Sequence, residues 1–529
     1  MHNTSTSRSR AAEDEAVRRT DRANWAELLE WEFQEGGDVP LYQQVANFLR
    51  SQIQAGVIPS GSRLPSTRQL MDRLRVSRTT VITAYSLLHA DGYVVCRIGS
   101  GTYVATDVLD TFGQDAPVHA GAAPEDQIDD VPSQLWAQND GLSERGARYA
   151  RLELDRFVLD PVPFNTGVVR VDGRAAAHWQ QIVRQHLATE SVYQGYAAPE
   201  GSPEIRQEIA RYVGVSRGIR CTAEQVILVA GSQQAIDLAI KVLLDPGAAV
   251  WVEDPGYPLT RMALETAGMD IRAIPVDQDG LRVSQGVATS PNARGVFVTP
   301  SHQYPLGVAL SMRRRVELLE WAARFNAWVV EDDYDSEFRY SGPALPALKG
   351  LDRHDRVVYV GSFSKVLLPT MRYGYMVVPP ALIQPFRAAR LLADRHSPVF
   401  FEKVLAEYIS RGHFVSHIRR MRVEYCHARD ALVSMLQERA GHLVDVTAPG
   451  QGLHLIAYLR NGIPDTLAAQ EAIRAGVAVR PISSLCSPGG ARHSGLMLGF
   501  AGYSETRMRT AVDRLAIALE GLVRTYRSD

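Results

Sequence analysis

A lysine behind two serines, Ser362-Phe363-Ser364-Lys365, follows the apolar run Val357-Val358-Tyr359-Val360 and Gly361. The run predicts a buried strand ending at Gly361. Lys365 then sits at the mouth of that strand, the end at which open α/β sheets bind ligands. A lysine desolvated there loses its proton and condenses with an aldehyde. Ser362 offers a hydroxyl, and Arg372 just downstream offers a guanidinium fork suited to phosphate. Aldehyde plus phosphate describes pyridoxal 5′-phosphate.

A serine-flanked lysine alone is usually a solvated surface residue, so the elements around it decide. Upstream, Trp328-Val329-Val330-Glu331-Asp332-Asp333-Tyr334 reads as a second buried strand that ends in carboxylates. A carboxylate beside the pyridine nitrogen keeps that nitrogen protonated and makes the cofactor an electron sink. Side chains alternate along a strand, so only one of Asp332 and Asp333 points inward. Further upstream, Val226 to Ala230 reads as a strand, and Gly231-Ser232-Gln233 opens a helix. The exposed N–H groups and dipole of a helix N-terminus suit a phosphate. By itself that stretch is an ordinary cap after a strand; beside the lysine and the acid it reads as a phosphate cradle. Strand and helix signals alternate through the rest of this region, which predicts a mainly parallel, doubly wound α/β sheet with a smaller C-terminal α+β part.

These motifs resemble the fold-type I aminotransferases from about residue 165 to 525. Glu331 to Phe338 (EDDYDSEF), together with Pro300-Ser301-His302-Gln303-Tyr304-Pro305, resembles one branch in particular. That branch is the MocR-like subfamily of GntR regulators, in which an aminotransferase-like domain is fused to a DNA-binding head. The resemblance implies Asp332 as the partner of the ring nitrogen, by its spacing to Lys365, with Asp333 second. It implies Tyr334 at the ring hydroxyl, Tyr257 stacked on the ring, and Tyr196 reaching the phosphate of a neighbouring subunit's cofactor. Two departures stand out. Tyr304 replaces the asparagine that bonds the ring hydroxyl in standard aminotransferases, leaving that bond to His302, Gln303 or Tyr304. Leu496 stands where working enzymes carry the arginine that clamps a substrate carboxylate, with Arg480 and Arg313 as possible substitutes.

The head is visible at the other end of the chain. Leu41 to Arg50 repeats apolar residues at helical spacing, Ser66 caps a short helix through Leu74, and Ser77 caps a third from Arg78 to Ala90. Tyr93 to Arg97 and Thr102 to Val104 flank the glycine-rich tip Ile98-Gly99-Ser100-Gly101, which reads as a hairpin. Three helices and a hairpin make a winged helix-turn-helix. The segment is basic, with Arg50, Arg63, Arg68, Arg73, Arg75, Arg78 and Arg97 against Asp38, Asp72 and Asp91. An arginine-rich helical face is often merely solvated, but Leu64 to Leu70 and Val76 to Val81 resemble the GntR head. That resemblance implies DNA contacts by Arg68, Arg78, Thr79 and Thr80, and by the wing tip around Arg97, Gly99 and Ser100 at the minor groove. Ile82 stands where some relatives carry a further arginine.

With 529 residues the chain is too long for one core. Its sections read as a flexible extension (1–37), the winged head (38–106), a linker rich in Ala, Pro, Gly and Asp (107–160) and the cofactor domain (161–529). A net charge of −2 confines nucleic-acid affinity to a local patch. The cysteines, Cys96, Cys221, Cys426 and Cys486, form no CxxC pair, so no metal or disulfide framework is expected. The polar N-terminus and the lack of long apolar runs predict a cytoplasmic protein with no membrane segment.

Three functions compete. The first is a regulator that binds promoter DNA and senses pyridoxal phosphate, or an amine or amino-acid effector, through a Lys365 aldimine. The second is a working aminotransferase with an appended head. The third is a DNA-binding scaffold whose large domain has lost the cofactor. The lysine, acid, arginine and glycine elements weigh against the third, while Leu496 and Tyr304 weigh against the second. The resemblance also implies a homodimer with heads swapped between subunits.

Overall fold

In the computed structural model the described residues are 39–97, 100–105, 141–152, 162–170, 172–188, 195–342, 345–367, 369–460, 462–489 and 493–526. The extension 1–37 and most of the stretch read as linker lie outside them. The chain divides into one unit ending at Val131 and another beginning at Pro132.

In the first unit α1 (Leu41–Gln54), α2 (Thr67–Leu74) and α3 (Arg78–Ala90) precede β1 (Val94–Arg97) and β2 (Gly101–Val104). Both expected caps are present. Ser66 and Gln69 exchange side-chain and backbone bonds in a capping box, and Ser77 Oγ accepts from Thr80 N at 3.1 Å. Between α2 and α3 the chain reverses at Arg75, whose φ of 52° is left-handed. Each helix buries one stripe: Val45, Leu49 and Ile53 from α1, Leu70 and Leu74 from α2, and Val81, Ala84 and Leu88 from α3. With Val94 and Val104, paired across the hairpin, they close one core. Tyr85 Oη donates to Pro65 O at 2.7 Å and fixes α3 against the entry to α2.

The second unit is built on an eight-stranded sheet. Its strands are β3 (Val226–Val229), β4 (Ala249–Asp254), β5 (Asp270–Asp277), β6 (Gly280–Leu281), β7 (Gly295–Val298), β8 (Trp328–Asp333), β9 (Val357–Ser362) and β10 (Gly374–Val377). The spatial order is β3-β10-β9-β8-β7-β4-β5-β6. From β9 to β5 every pairing is parallel, while β10 runs antiparallel between β3 and β9. Every residue of β3, β7, β9 and β10 is buried, as strands covered by helices on both faces require. Crossing connections in such a sheet bring the carboxyl ends of β4, β7, β8 and β9 to one edge, where the acids and the lysine stand. A second, antiparallel sheet of β11 (Val444–Val446), β12 (His454–Leu459), β13 (Arg480–Pro481) and β14 (Leu496–Gly499) follows, in the order β11-β12-β14-β13. The helices His413–Ala440 and Glu505–Tyr526 pack on each other beside it.

One segment departs from the sequence reading. Within 107–160, taken there as linker, Glu144–Ala150 form a helix. Ser143 Oγ caps it by accepting from Gly146 N at 3.1 Å, and it packs on the helix Pro258–Thr266 with Arg148 Nη1 donating to Thr266 O at 3.5 Å. A seven-residue helix holds too few apolar positions to display a period. Among the described residues no helix is long and apolar enough to cross a membrane.

Candidate functional site

A cavity of about 900 Å³ opens at the carboxyl edge of the large sheet, walled on its other side by β13 and β14. Glu253, Tyr257, Thr299 and Asp332 line it from the sheet, and Asn165 and Thr166 from the segment that precedes it in sequence. Lys365 lies in the turn after β9, and its Nζ donates to the carbonyl of Thr166 at 3.2 Å. Burial holds the Lys365 amine below its ordinary pKa; the Asp335 carboxylate opposes this, and the Arg480 cation adds to it. That environment favours the neutral amine, the nucleophilic form. Thr166 is separated from Lys365 by 199 positions, and no motif marks it.

Strand alternation separates the two aspartates. Asp332 lines the cavity, and its Oδ1 is buried with no hydrogen-bond partner. Asp333 turns to the other face, where it pairs with Arg217 Nε at 2.6 Å and accepts from Tyr359 Oη at 2.7 Å and Ser336 Oγ at 3.0 Å. Burial, and then the charges of Asp333, Asp335 and Glu253, push the Asp332 carboxyl up to about 7. Burial likewise pushes Glu253 up to about 7 and Glu331 up to about 6. An acid whose pKa is raised by folding stabilises the fold while protonated, and that stability is lost as pH rises through the folded value. The cofactor-free protein is therefore expected to lose stability from about pH 4 to 7. The Asp332→Asn variant should lose less over that range, the difference being on the order of a few kcal/mol. Thermal unfolding of both cofactor-free proteins at pH 5 and pH 7.5 checks this; parallel curves would contradict it.

Opposite the acid, three segments converge. Gly231, with φ of 92°, leads into the helix Ser232–Leu243. A Cβ there would come 3.1 Å from Arg372 Nη2, a tight contact, and the left-handed φ itself favours glycine. Arg372 Nη2 donates to Ala230 O at 2.8 Å. Gly374 pairs with Val229 on one side and Ser362 on the other, which aligns the ends of β3, β10 and β9. Ser362 Oγ accepts from Ser364 N at 3.1 Å, whereas Ser364 Oγ and Gln233 Oε1 are buried without partners. Gly231, Ser232, Gln233, Ser362 and Arg372 thus meet at one corner, a donor-rich helix N-terminus with a guanidinium beside it.

Three tyrosines fill the remaining wall. Tyr257 lines the cavity and meets Tyr304 edge-on with centroids 5.4 Å apart. Burial, and then Asp332, raise the Tyr257 hydroxyl pKa, so it stays protonated. The hydroxyl of Tyr334 lies 3.0 Å from His302 Nδ1, which also faces Asp335 at 2.9 Å. A carboxylate only accepts, so Nδ1 carries the hydrogen and Tyr334 keeps its own proton to donate. Gln303 is engaged by backbone, donating to Pro255 O and Tyr304 O, and Tyr304 Oη accepts from Arg480 Nη1 at 2.9 Å. His302, Asp335 and His454 also form a cluster of possible cation ligands, but His302 Nδ1 and His454 Nε2 are already bonded to Asp335 and Pro305 O.

Two sequence assignments change. Leu496 does not face the cavity: it packs in the large core, while Met497 lines the wall. Side chains alternate, so on β14 it is Met497, not Leu496, that lines the cavity. Arg313, offered there as a substitute cation, is 73% exposed and lies near Glu317. Tyr196 is not brought to the cavity of its own chain; it is 78% exposed, with the Arg395 guanidinium 3.5 Å above its ring.

In the head, Arg68, Arg78 and Thr79 are exposed and Thr80 is half-buried at the start of α3. Arg97 is exposed on β1 with its guanidinium 4.6 Å from the Tyr103 ring, and Ser100 Oγ lies 2.7 Å from Tyr103 Oη. Gly99 lies outside the described residues.

Residues 41–104 match the family of bacterial regulatory proteins described as gntR, and residues 160–515 match aminotransferase class I and II. The probable rhizopine catabolism regulatory protein MocR of Rhizobium meliloti is 35% identical over 92% of this chain and 95% of its own length. The chain belongs to the MocR-like subfamily of GntR regulators. The pyridoxine biosynthesis transcriptional regulator PdxR of Corynebacterium glutamicum is 29% identical over 90% of this chain and 95% of its own. The crystal structure of Pyrococcus horikoshii kynurenine aminotransferase in complex with PMP matches with a TM-score of 0.66 and 27% identity, over 74% of this chain and 99% of that one. This MocR-like chain is therefore a DNA-binding transcriptional regulator whose large domain has the pyridoxal phosphate-dependent aminotransferase fold. The residues fit that cofactor: a partnerless buried carboxyl lines the cavity, a desolvated amine is bonded to the cavity residue Thr166, and the ends of β3, β9 and β10 bring a helix N-terminus and an arginine together.

Proposed function

We propose that this MocR-like regulator senses pyridoxal 5′-phosphate, or a primary amine that reacts with it, at Lys365 and reports the event to promoter DNA through its head. The observation that carries the reading is the desolvated Lys365 amine bonded to Thr166 in the wall of the cavity that the partnerless Asp332 carboxyl also lines, in a chain that also bears a winged helix-turn-helix. When bound, the cofactor supplies an aldehyde that exchanges reversibly between amines. Lys365 is the resident amine. Asp332 would hold the ring nitrogen and keep a proton there, Tyr334, oriented by His302 and Asp335, would donate to the ring hydroxyl, and Tyr257 would pack on the ring. Gly231, Ser232, Gln233, Ser362 and Arg372 hold the phosphate. The exposed Tyr196 serves the site of a second subunit, which makes the working form a homodimer; the exchange of heads between subunits belongs to the same proposal.

On the DNA side, Arg68, Arg78, Thr79 and Thr80 meet the major groove and Arg97 and Ser100 the minor. The start of α3 and the basic balance of the head support this: residues 39–105 carry seven arginines and two aspartates. Arg78→Ala should weaken binding to the operator by about 1–3 kcal/mol and relax preference at one base pair if it reads a base edge. Equal weakening for all sequences, with a shallower salt slope, would assign it to phosphate instead.

The amine reading is tested by titrating the cofactor-loaded protein with a panel of primary amines while following cofactor absorbance and operator affinity together. An amine can shift the DNA-binding equilibrium only by its differential affinity for the two states. The expected result is an amine that changes both readouts. An amine that changes the spectrum, leaves affinity untouched and supports many turnovers with a keto acid would make the chain an enzyme.

A further inference from the structure

A second cavity, of about 690 Å³, shares no lining residue with the first. Its volume lies in the range of small-molecule sites. Two helices wall it. Glu208, Arg211, Tyr212 and Val215 come from Pro203–Arg217, and Val415, Ile418, Arg419 and Arg422 from His413–Ala440. Each set is spaced i, i+3, i+4, i+7, so each forms one helical face. The segment after β8 adds Ser336, Glu337 and Arg339. Five guanidinium groups line this space, and two are matched: Arg211 by Glu208 at 2.5 Å and Arg217 by Asp333 at 2.6 Å. Arg339, Arg419 and Arg422 have no carboxylate partner among the described residues. Arg339 donates to Gly342 O and Gln451 Oε1, and Arg422 donates twice to Glu337 O, all neutral acceptors. Burial, and then the Arg217 charge, lower the Arg339 pKa. The remaining acid, Glu337, accepts from Tyr212 Oη at 2.8 Å; burial, and then the Asp333 charge, raise its pKa and so reduce the negative charge it offers. A concave cluster of unmatched cations is left to be matched by an anion that enters.

We propose that this second cavity binds a small organic dianion, a phosphate monoester or a dicarboxylate, with Arg339, Arg419 and Arg422 taking the acidic groups and Val415 and Ile418 the apolar body. Occupancy is felt at the cofactor site through one wall. Arg339 Nη1 donates to Gln451 Oε1 at 2.8 Å, Gln451 Nε2 donates to Ser301 O at 2.6 Å, and Tyr340 Oη donates to Gly452 O at 2.7 Å. The next residue after Ser301 is His302, and a Cβ on Gly452 would lie 1.9 Å from its Cε1, so that backbone has no slack against the imidazole. His302 in turn faces the Tyr334 hydroxyl at 3.0 Å. An anion drawing Arg339 toward itself therefore pulls on the residues that orient Tyr334. This coupling rests on the reading that Tyr334 serves the ring hydroxyl; the binding site itself does not.

The test is calorimetric titration of the full-length, cofactor-loaded protein with phenyl phosphate, phthalate and uncharged benzyl alcohol at fixed ionic strength. Loading with the cofactor keeps the probes from the corner at Gly231. Wild type should bind phenyl phosphate or phthalate saturably, the tighter of the two naming the acidic group, and benzyl alcohol at least about tenfold more weakly. Arg422→Gln should weaken the bound dianion at least about tenfold, as loss of one charge-assisted contact does. Val415→Trp should block binding by filling the apolar end while every arginine stays. Arg422 and Val415 are both exposed, so neither change threatens the fold. Binding of neither dianion by wild type, or binding unchanged in both variants, overturns the site. Reduced operator affinity in Arg422→Gln with no dianion bound by wild type would make the arginines a DNA contact and also overturn it. Cofactor absorbance, followed in parallel without any amine, should shift when the dianion binds wild type and not when it is added to Val415→Trp. Saturable binding with no shift overturns the coupling and leaves the site standing. Because no amine is present, each of these results is independent of whether an amine is sensed at Lys365.

Discussion

Lys365→Ala abolishes the lysine-linked absorbance of the cofactor and, with it, the entire response of DNA binding to an amine, while the cofactor-free variant still binds DNA. The buried Lys365 amine, its pKa lowered by burial, donates to the Thr166 carbonyl, so its loss removes one hydrogen bond. Gly231, Arg372 and Asp332 are untouched, and the variant should still take up pyridoxal phosphate by non-covalent contacts alone. Absorbance, a circular dichroism check of folding and an operator titration with and without amine separate these outcomes. A variant that keeps the full amine response would place the sensing group elsewhere.

Arg217→Met is expected to destabilise the large domain by about 3–5 kcal/mol, the largest stability effect of any single substitution considered. Arg217 pairs with Asp333 at 2.6 Å, with side-chain exposures of 8% and 1%, and donates to Ser301 Oγ at 2.6 Å. Asp333 is packed among other acids: its charge raises the pKa values of Glu331, Asp332 and Glu337. Without the guanidinium, that cluster keeps its mutual repulsion and loses its compensating cation. The same anchor fixes β8 with Asp333 outward, which is what leaves Asp332 facing the cavity. Tryptophan fluorescence during urea unfolding follows Trp179, Trp251, Trp321 and Trp328 of this domain, to which residues 39–105 add no tryptophan, with Trp25, Trp31 and Trp136 as a background from outside both. The double variant Arg217→Met, Asp333→Asn should be less damaged than Arg217→Met alone, because no unpaired charge remains buried. A single variant within about 0.5 kcal/mol of wild type would show the pair to be structurally neutral.

Particular residues show how much could be read in advance. The head was legible because its signals are local: Ser66 with Gln69, and Ser77 with Thr80, cap helices three residues away. The carboxyl ends of β8 and β9 were legible because each is an apolar run that stops at functional residues. Alternation reduced Asp332 and Asp333 to a choice of one, and Arg217, distant in sequence, determines which aspartate turns away. Leu496 shows the same alternation: it faces the core while its neighbour Met497 lines the cavity. Thr166 beneath Lys365 arises from long-range packing and leaves no trace in spacing, whereas Arg480 stood among the candidate cations of the sequence and strand register sets it opposite Met497. The helix Glu144–Ala150 was missed because it is short and set in a linker-like composition.

The central claim is that the state of the Lys365 cavity is communicated to the DNA-binding head. The most direct measurement is an operator titration of the cofactor-loaded and cofactor-free protein, side by side, at one stated salt concentration and with excess competitor DNA. The account predicts tight binding that competitor does not displace and an affinity that differs between the two forms. Identical affinities, or binding that competitor and salt remove equally from both, would contradict it.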